Sequence, residues 1–395
     1  MFGVSIELII TPGLTYNHKK WRCWKASALT SERFPVLITS FLGSLLALVV
    51  FPTLSALAFN FIFGHLFASG LADKLAAQCP PTITSLTETP YRLDYTTIPT
   101  LDTQLCPLVA FFHITMAKPL PLSFLAYFIG VGFPFVVLPA VEACRDGRSL
   151  LIAYPAIWGL LTQTMTIGAT MPIYWLAFIL SRGRGLSKGA GSSNTKGAVT
   201  QAHAEAIVFG VLIGAIVPTI SMLILNDPTV TAIWQPYPVY VSLAHALHLF
   251  FRPPSQHPQS GYPTIRALYL GCFVIASSVH ISTIWPIKND LAAIKSMFFP
   301  STIALNVSDV SLQTLDFLKW DFVFGSVSTA LATLWFAQDL MQLFKMVVWY
   351  TVAIPLVGFG AAIMGVALWR EQFLVNQWLR DRNICHVMVH RIKGI

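Results

Sequence analysis

The sequence predicts an all-α membrane protein, a polytopic helical bundle with about eight transmembrane helices. Of its 395 residues, 55% are hydrophobic and only 11% are charged, whereas a soluble domain carries about 25% charged residues. The hydrophobic residues cluster into runs of about 20, the length at which a helix crosses the apolar core of a bilayer. The lipid bilayer is therefore a predicted partner. The 25 Lys and Arg residues are typical of loop charges that fix orientation, and no nucleic-acid partner is predicted.

Eight apolar runs define the predicted spans. The third run is longer than a bilayer requires and contains Pro155 and Pro172, so we expect a kink or a break within it. No internal repeat relates one half of the chain to the other. The runs are 35–57, 121–141, 151–180, 204–225, 230–251, 264–286, 320–338 and 346–369.

The spans form one predicted transmembrane domain, residues 35–369, between a basic N-terminal segment at 1–34 and a basic C-terminal tail at 370–395. The distribution of Lys and Arg favours the cytoplasm for both termini. Within the domain, residues 62–105 are predicted to form a lumenal loop. Residues 181–203, rich in Gly, Ser and Lys, are predicted to form a flexible linker.

Three loop features depend on this orientation. Alternating crossings place the basic linker in the lumen, against the positive-inside rule. One extra crossing within 149–180 would remove that conflict, but it would put the basic C-terminal tail outside. The same count places Asn306, in the sequon Asn-Val-Ser, in the cytoplasm, where the sequon is a chance tripeptide. Cys79 lies in the lumenal loop and Cys106 directly follows it, and the two form either a disulfide or two free thiols.

Two carboxylates at span ends are the candidate catalytic residues. Glu142 ends the second predicted span and Asp321 begins the seventh. An even number of predicted crossings separates them, so we expect both at one face of the membrane, in one shared site. An acid at the mouth of a membrane segment is costly and is a functional hypothesis by default, here as a proton donor. The alternative is a solvated helix end, where Asp321 would complement the helix dipole.

Four further residues are candidates for substrate binding: Gln163 inside the third span, and the indoles Trp175, Trp234 and Trp335. Aromatic rings stabilise positive charge without trapping it as a nucleophile would, and this chain is 13% aromatic. The alternatives are a hydrogen bond between helices for Gln163 and the interfacial aromatic belt for the three indoles.

Several common cofactor motifs are missing from the sequence. It contains no DDxxD run, no Walker A motif and no GxGxxG. His245 and His248 lie one helical turn apart, but no Cys or carboxylate cluster accompanies them. We therefore predict no metal site and no cofactor.

Five stretches together resemble a fungal family of integral-membrane terpene cyclases from meroterpenoid and indole-diterpene pathways, of the larger type with about eight spans. The resemblance implies cyclisation of a prenyl chain without metal, started when an acid protonates a terminal alkene or epoxide. It supports Glu142 and Asp321 as the acids, and it implies a lipophilic prenylated substrate, residence in the endoplasmic reticulum membrane and association with other pathway enzymes. The stretches are LPAVEACRDGR (138–148), GLLTQTMTIGATMPIYW (159–175), AEAIVFGVLIGAIVPTISML (204–223), IWQPYPVYVSL (233–243) and WDFVFGSVSTALATLWFA (320–337).

Two other functions remain as alternatives. A transporter or exporter of a lipophilic metabolite would use membrane acids as proton relays, although many secondary transporters display inverted repeats. A non-catalytic scaffold of the pathway would form no product of its own, so neutralising Glu142 or Asp321 would leave product formation unchanged.

Overall fold

A computed structural model describes residues 34–80, 89–185 and 199–393. The basic N-terminal segment up to residue 33 and most of the predicted linker lie outside these ranges. Within the described part of the chain the fold is helical, and the one β pairing is an isolated bridge between Thr200 and Ser260. The predicted all-α class is therefore confirmed.

The helices are numbered in chain order. A π-helix, Asn60–Gly64, joins α1 to α2, and a second one, Val211–Ile216, joins α9 to α10. The α-helices are α1 Phe34–Phe59, α2 His65–Ala68, α3 Leu71–Ala77, α4 Pro99–Met116, α5 Pro119–Val131, α6 Phe133–Ala143, α7 Pro155–Met165, α8 Ile167–Gly185, α9 Gln201–Gly210, α10 Val217–Leu225, α11 Pro228–Trp234, α12 Tyr237–Phe251, α13 Tyr262–Ile284, α14 Leu291–Phe298, α15 Val310–Leu334 and α16 Leu340–Lys393.

Fewer helices than predicted are both long and apolar enough to cross a membrane. Among the described residues there are 5 such segments, so the expected count of about eight is not confirmed. Two predicted spans fall short for physical reasons: α12 has 15 residues, and α15 buries many polar side chains. The five segments are Leu42–Ala68, Pro119–Ala143, Gln201–Leu225, Tyr262–Ile287 and Leu340–Val375.

The third predicted span is broken, as its sequence indicated. Thr166 interrupts it with a φ of 69°, a backbone conformation that few non-glycine residues adopt. Helices α7 and α8 fold back on each other, because the Thr170 hydroxyl donates to the Leu161 carbonyl at 3.3 Å and the rings of Trp158 and Tyr174 lie 5.4 Å apart. The segment is therefore a re-entrant hairpin that starts and ends at the same face of the bundle.

A second hairpin forms within α16. Gly358 breaks that helix with a φ of 83°, a conformation that glycine adopts without a steric penalty. The two arms pack side by side, since the Trp349 indole donates to the Ala362 carbonyl at 2.9 Å. The chain then returns to the level of Phe336, whose ring lies 3.9 Å from the guanidinium of Arg370. The predicted span 346–369 is thus two antiparallel half-helices, and the chain continues as helix past residue 370.

Three connecting segments meet at one end of the bundle, which we call the disulfide face: residues 69–80 together with 89–118, residues 226–236, and residues 288–309. The first contains the disulfide Cys79–Cys106, which resolves the choice left open by the sequence. Much of this predicted loop is helical, as α3 and α4. Polar contacts join the segments, including Lys74 to the Val307 carbonyl at 2.8 Å and His113 to Thr231 at 3.1 Å.

The re-entrant hairpin corrects the predicted orientation of everything that follows it. Phe135 lies against Gly325, and Glu142 reaches Phe336 through Arg370, so α6 and α15 run parallel. The sequence predicted that they run in opposite directions, with Glu142 and Asp321 at one face. That prediction is wrong because a hairpin was counted as a crossing.

Candidate functional site

Helix α15 carries an unusual number of buried polar groups for a helix at the centre of a membrane bundle. Most of its residues are buried, and they include Asp316, Lys319 and Asp321. A buried carboxyl group is costly unless it has partners, and in a membrane protein such a group usually serves function. The surroundings of these acids therefore define the candidate site.

Between the two acids lies a compact group of rings, which we call the aromatic cluster: Phe61, Phe63, Phe317, Trp320 and Phe324. Phe61 stacks on Trp320 with ring centroids 4.3 Å apart, and Trp320 stacks on Phe324 at 5.6 Å. The cluster packs on a small core separate from the main one. Phe61 and Phe63 belong to the first π-helix, an irregularity that is frequent at functional sites.

Asp316 and His65 close one end of the aromatic cluster. Asp316 is 5% exposed. One of its oxygens accepts the backbone N–H of Ser301 at 2.6 Å, and the other lies 3.6 Å from Nδ1 of His65. This Nδ1 is buried and has no hydrogen-bond partner among the described residues. The imidazole also faces Trp320 edge-on, with ring centroids 6.1 Å apart.

A small cavity adjoins this acid–imidazole pair. Its walls include His65, Asp316, Gln313 and Ser69, and the centre of a water molecule can occupy about 10 Å³ of it. That is room for about one water molecule, and the polar walls supply the two to four partners that a buried water requires. A single water molecule in this cavity would therefore be able to relay a proton between the imidazole and the carboxyl group.

Asp321 lies at the other end of the aromatic cluster, near the tip of the α7–α8 hairpin. Its Oδ1 accepts the backbone N–H of Gly168 at 2.5 Å, so the carboxyl group caps the start of α8, where a helix attracts negative charge. Beside this contact, Ala169 of α8 and Phe324 of α15 pack together in the same small core. Asp321 makes no ion pair within the described part of the chain.

The position of Asp321 corrects the sequence-based expectation. It was expected at the mouth of a span that began near residue 320, but α15 begins ten residues earlier, at Val310. Asp321 therefore lies near the middle of a buried helix. The dipole that its carboxylate complements belongs to α8 and not to its own helix.

Glu142 lies in a different environment. Its two oxygens bind the guanidinium groups of Arg145, at 2.8 Å, and Arg370, at 3.1 Å. Arg145 also binds Glu371, and all four side chains are buried. Burial alone would disfavour the charge on Arg145, but the two carboxylates outweigh it and hold the pKa of Arg145 well above its ordinary value. Both oxygens of Glu142 are thus occupied by partners within the protein.

The structure does not bring Glu142 and Asp321 together. Arg370 contacts both Glu142 and Phe336, so these two residues lie at the same height along the bundle axis. Phe336 follows Asp321 by fifteen positions. At about 1.5 Å per helical residue, the two acids lie roughly 20 Å apart along the bundle axis. The structure therefore does not place the two acids in one site, and a role for each acid stays a prediction.

The four predicted substrate-binding residues are also dispersed, and each has a polar partner elsewhere in the bundle. None of them has a ring contact with the aromatic cluster in the described part of the chain. Gln163 donates to the Gln235 carbonyl at 3.0 Å, Trp175 to Thr329 at 2.9 Å, Trp234 to Thr219 at 2.9 Å and Trp335 to the Gly43 carbonyl at 3.1 Å.

Sequence reasoning missed Asp316, His65 and most of the aromatic cluster. It assigned Asp316 to a loop because the apolar run appears to start only at Trp320. One signal was present: Asp316, Trp320 and Phe324 follow each other at intervals of four, which places them on one face of a helix. No signal in the sequence pairs that face with His65, which is distant along the chain.

Comparison with known proteins gives the chain its relatives. The protein-family model described as the CtvD domain matches residues 46–375. The chain is 27% identical over 287 residues to terpene cyclase ascI of Acremonium egyptiacum, covering 67% of this chain and 73% of that protein. It is 26% identical over 294 residues to terpene cyclase ctvD of Aspergillus terreus, covering 69% of this chain and 82% of that protein. No solved structure matches the chain significantly.

Proposed function

Because this chain belongs to the CtvD domain family, we propose that it is a membrane-bound terpene cyclase that cyclises the prenyl chain of a meroterpenoid-type metabolite. Two relatives with matches over most of their length are named terpene cyclases. Their names supply the reaction class, and the candidate site supplies groups suited to it. The starting step is protonation of a terminal alkene or epoxide.

The observation that carries the proposal is the aromatic cluster bounded by two buried acids. A cationic cyclisation needs a proton donor, a dry environment and rings whose faces stabilise positive charge. The Asp316 carboxyl is the proton donor in this proposal, because it lines the cavity beside His65, whose ring faces Trp320. Its proton passes to the substrate oxygen or alkene carbon, the C–O or π bond opens, and the resulting cation is attacked by an internal alkene.

His65 restores the proton to Asp316. Its Nδ1 lies 3.6 Å from the carboxyl oxygen, with the cavity beside both groups. One water molecule there would bridge the two, since direct transfer requires a heavy-atom distance of about 2.6–3.2 Å. The final carbocation gives up one proton, which returns the His65 imidazole to its protonated form, so a full cycle consumes no net proton.

Asp321, the acid predicted from the sequence, serves at the far end of the same cluster in this proposal. A carboxylate there would stabilise positive charge as it migrates along the prenyl chain. Its bond to Gly168 fixes its position relative to the rings. The competing explanation is that Asp321 only caps α8.

The substrate enters from the bilayer. Phe61, Phe63, Phe317 and Trp320 are only half-buried, and a prenylated molecule partitions into lipid. The cavity itself holds only a water-sized ligand, so the prenyl chain lies along the ring surface and places its reactive end at Asp316.

Product analysis tests the proposal. The native chain and the variants Asp316→Asn, Asp321→Asn and Glu205→Gln are produced in a eukaryotic host that supplies the linear prenylated precursor or its terminal epoxide. Glu205→Gln is the matched control, since it neutralises a half-exposed acid paired with Arg252. We expect cyclised product from the native chain and the control. We expect loss of at least 100-fold in Asp316→Asn, the size of a general acid contribution.

Three outcomes would contradict parts of the proposal. If Asp316→Asn keeps full activity at a normal protein level, Asp316 is not the proton donor. If activity is lost only in Asp321→Asn, Asp321 is the donor instead. If the native chain forms no cyclised product from either precursor, the proposal that it is a terpene cyclase is wrong.

One observation favours the transporter alternative. The two hairpins break at Thr166 and Gly358 within the bundle, and broken helices near the bilayer midplane form substrate sites in many secondary transporters. Proteoliposomes loaded with the prenylated precursor distinguish the functions, because a transporter moves the unchanged compound across the membrane and a cyclase converts it.

A further inference from the structure

We propose that Asn306 is N-glycosylated and that the disulfide face of the bundle is its lumenal face. This inference does not depend on the reaction. It assigns a covalent modification site and, with it, the absolute orientation of the protein. The sequence Asn306-Val307-Ser308 is the one Asn-X-Ser/Thr sequon with X other than proline in the chain.

The sequon is displayed in a way that suits modification. Residues Asn306, Val307 and Ser308 are all exposed, and the segment has no helical structure before α15 begins. The backbone at and beside the sequon is held in place, because Gln313 donates to the Leu305 carbonyl at 2.7 Å and Lys74 to the Val307 carbonyl at 2.8 Å. A glycan is bulky and strongly hydrated, so it requires such a surface loop.

The disulfide is an independent observation that points to the same compartment. The Cα atoms of Cys79 and Cys106 lie 5.9 Å apart, within the range that a disulfide spans without backbone movement. Such bonds persist in the endoplasmic reticulum lumen and are rare in the cytosol. Lys74, which bonds to Val307 within the sequon, lies on α3, the helix that leads to Cys79. The disulfide and the sequon therefore share one face.

The basic residues of the opposite face support this orientation. Arg145 and Arg148 follow α6, and Arg182 and Arg184 lie in the last turns of α8, at the base of the re-entrant hairpin. Cytoplasmic segments near span ends are enriched in Lys and Arg. The hairpin thus removes the conflict that the sequence presented, since α8 ends and α9 begins on the cytoplasmic side and the sequon lies on the lumenal side.

The modification is a glycosyl transfer. An N-glycosidic bond forms between the Asn306 amide nitrogen and the first sugar of a lipid-linked oligosaccharide diphosphate. The bond from that sugar to the diphosphate breaks, the lipid diphosphate leaves, and the amide nitrogen loses one proton. The donor and its transferase are those of the lumenal face of the endoplasmic reticulum.

The test measures electrophoretic mobility of the full-length chain from a eukaryotic host, before and after treatment with an N-glycosidase. We expect the native chain to gain mobility by the mass of one glycan. Asn306→Gln and Ser308→Ala should migrate at the deglycosylated position without treatment, and Ser308→Thr, which preserves the sequon, should keep the glycan.

A matched control places a sequon between α8 and α9, whose described ends lie at the other face. Lys196→Ser, combined with Asn306→Gln, makes Asn194 the first residue of an Asn-Thr-Ser acceptor sequence in the linker. We expect no glycan on this variant. A glycan on the linker overturns the orientation. A native chain without any glycan overturns the assignment of Asn306. Cysteine labelling under non-reducing conditions checks, for each sample, that the disulfide and thus the fold of this face are intact.

Discussion

The buried ion-pair network around Glu142 allows a structural role to be separated from a catalytic one. Glu142→Gln preserves the shape of the side chain and removes its charge. Arg145 would keep Glu371, but Arg370 would keep no carboxylate partner among the described residues. Removing one partner from a buried pair costs about 3–5 kcal/mol, because the remaining charge is left uncompensated. We therefore expect Glu142→Gln to be strongly destabilised.

The assay is thermal unfolding of the purified protein in detergent, with cyclised product per folded molecule measured in parallel. The destabilisation should lower the unfolding temperature by several degrees. The double variant Glu142→Gln/Arg370→Met should recover most of that loss, since it removes the unpaired guanidinium and keeps an apolar side chain against Phe336. Product per folded molecule should change little in either variant.

The opposite result would refute this reasoning. If Glu142→Gln unfolds at the native temperature and yet forms no cyclised product, the carboxyl group takes part in the reaction. The sequence-based assignment of Glu142 as a proton donor would then be correct, and the network of Arg145, Arg370 and Glu371 would serve catalysis.

Two further predictions concern the candidate site. Trp320→Leu should lower the cyclisation rate by roughly 2- to 30-fold, since a ring facing a cation contributes about 0.5–2 kcal/mol. Trp320→Phe keeps a ring and should retain most of the rate. Equal rates of product formation in the native chain and both variants would show that the ring takes no part in the reaction. Gly168→Ala should destabilise the fold by about 1–3 kcal/mol, because its added Cβ would lie 2.8 Å from the Asp321 carbonyl oxygen. Gly271→Ala is its control, since nothing lies within 4 Å of that position; an unchanged unfolding temperature for Gly168→Ala would show that the hairpin tip yields without cost.

The sequence by itself determined the helical class, the membrane environment and the family resemblance. Composition and the length of apolar runs are properties of local segments, so they require no knowledge of which helices meet. The break expected in the run 151–180 is also a property of a local segment, and it occurs at Thr166. The sequence further offered the disulfide between Cys79 and Cys106 as one of two options.

Only the tertiary structure decided the direction of each segment and the partners of each acid. An apolar run of about 30 residues has the same hydrophobicity whether it crosses a bilayer or folds back as a hairpin. Counting the hairpin as a crossing therefore placed Asp321 at the face of Glu142 and inverted the direction of the helices that follow it. Helix α15 starts before its apolar run, because packing against other helices buries polar side chains that hydropathy assigns to a loop. The pairing of Asp316 with His65, and of Glu142 with Arg370, joins residues distant in the chain, and long-range contacts of that kind leave no periodic signal in a single sequence.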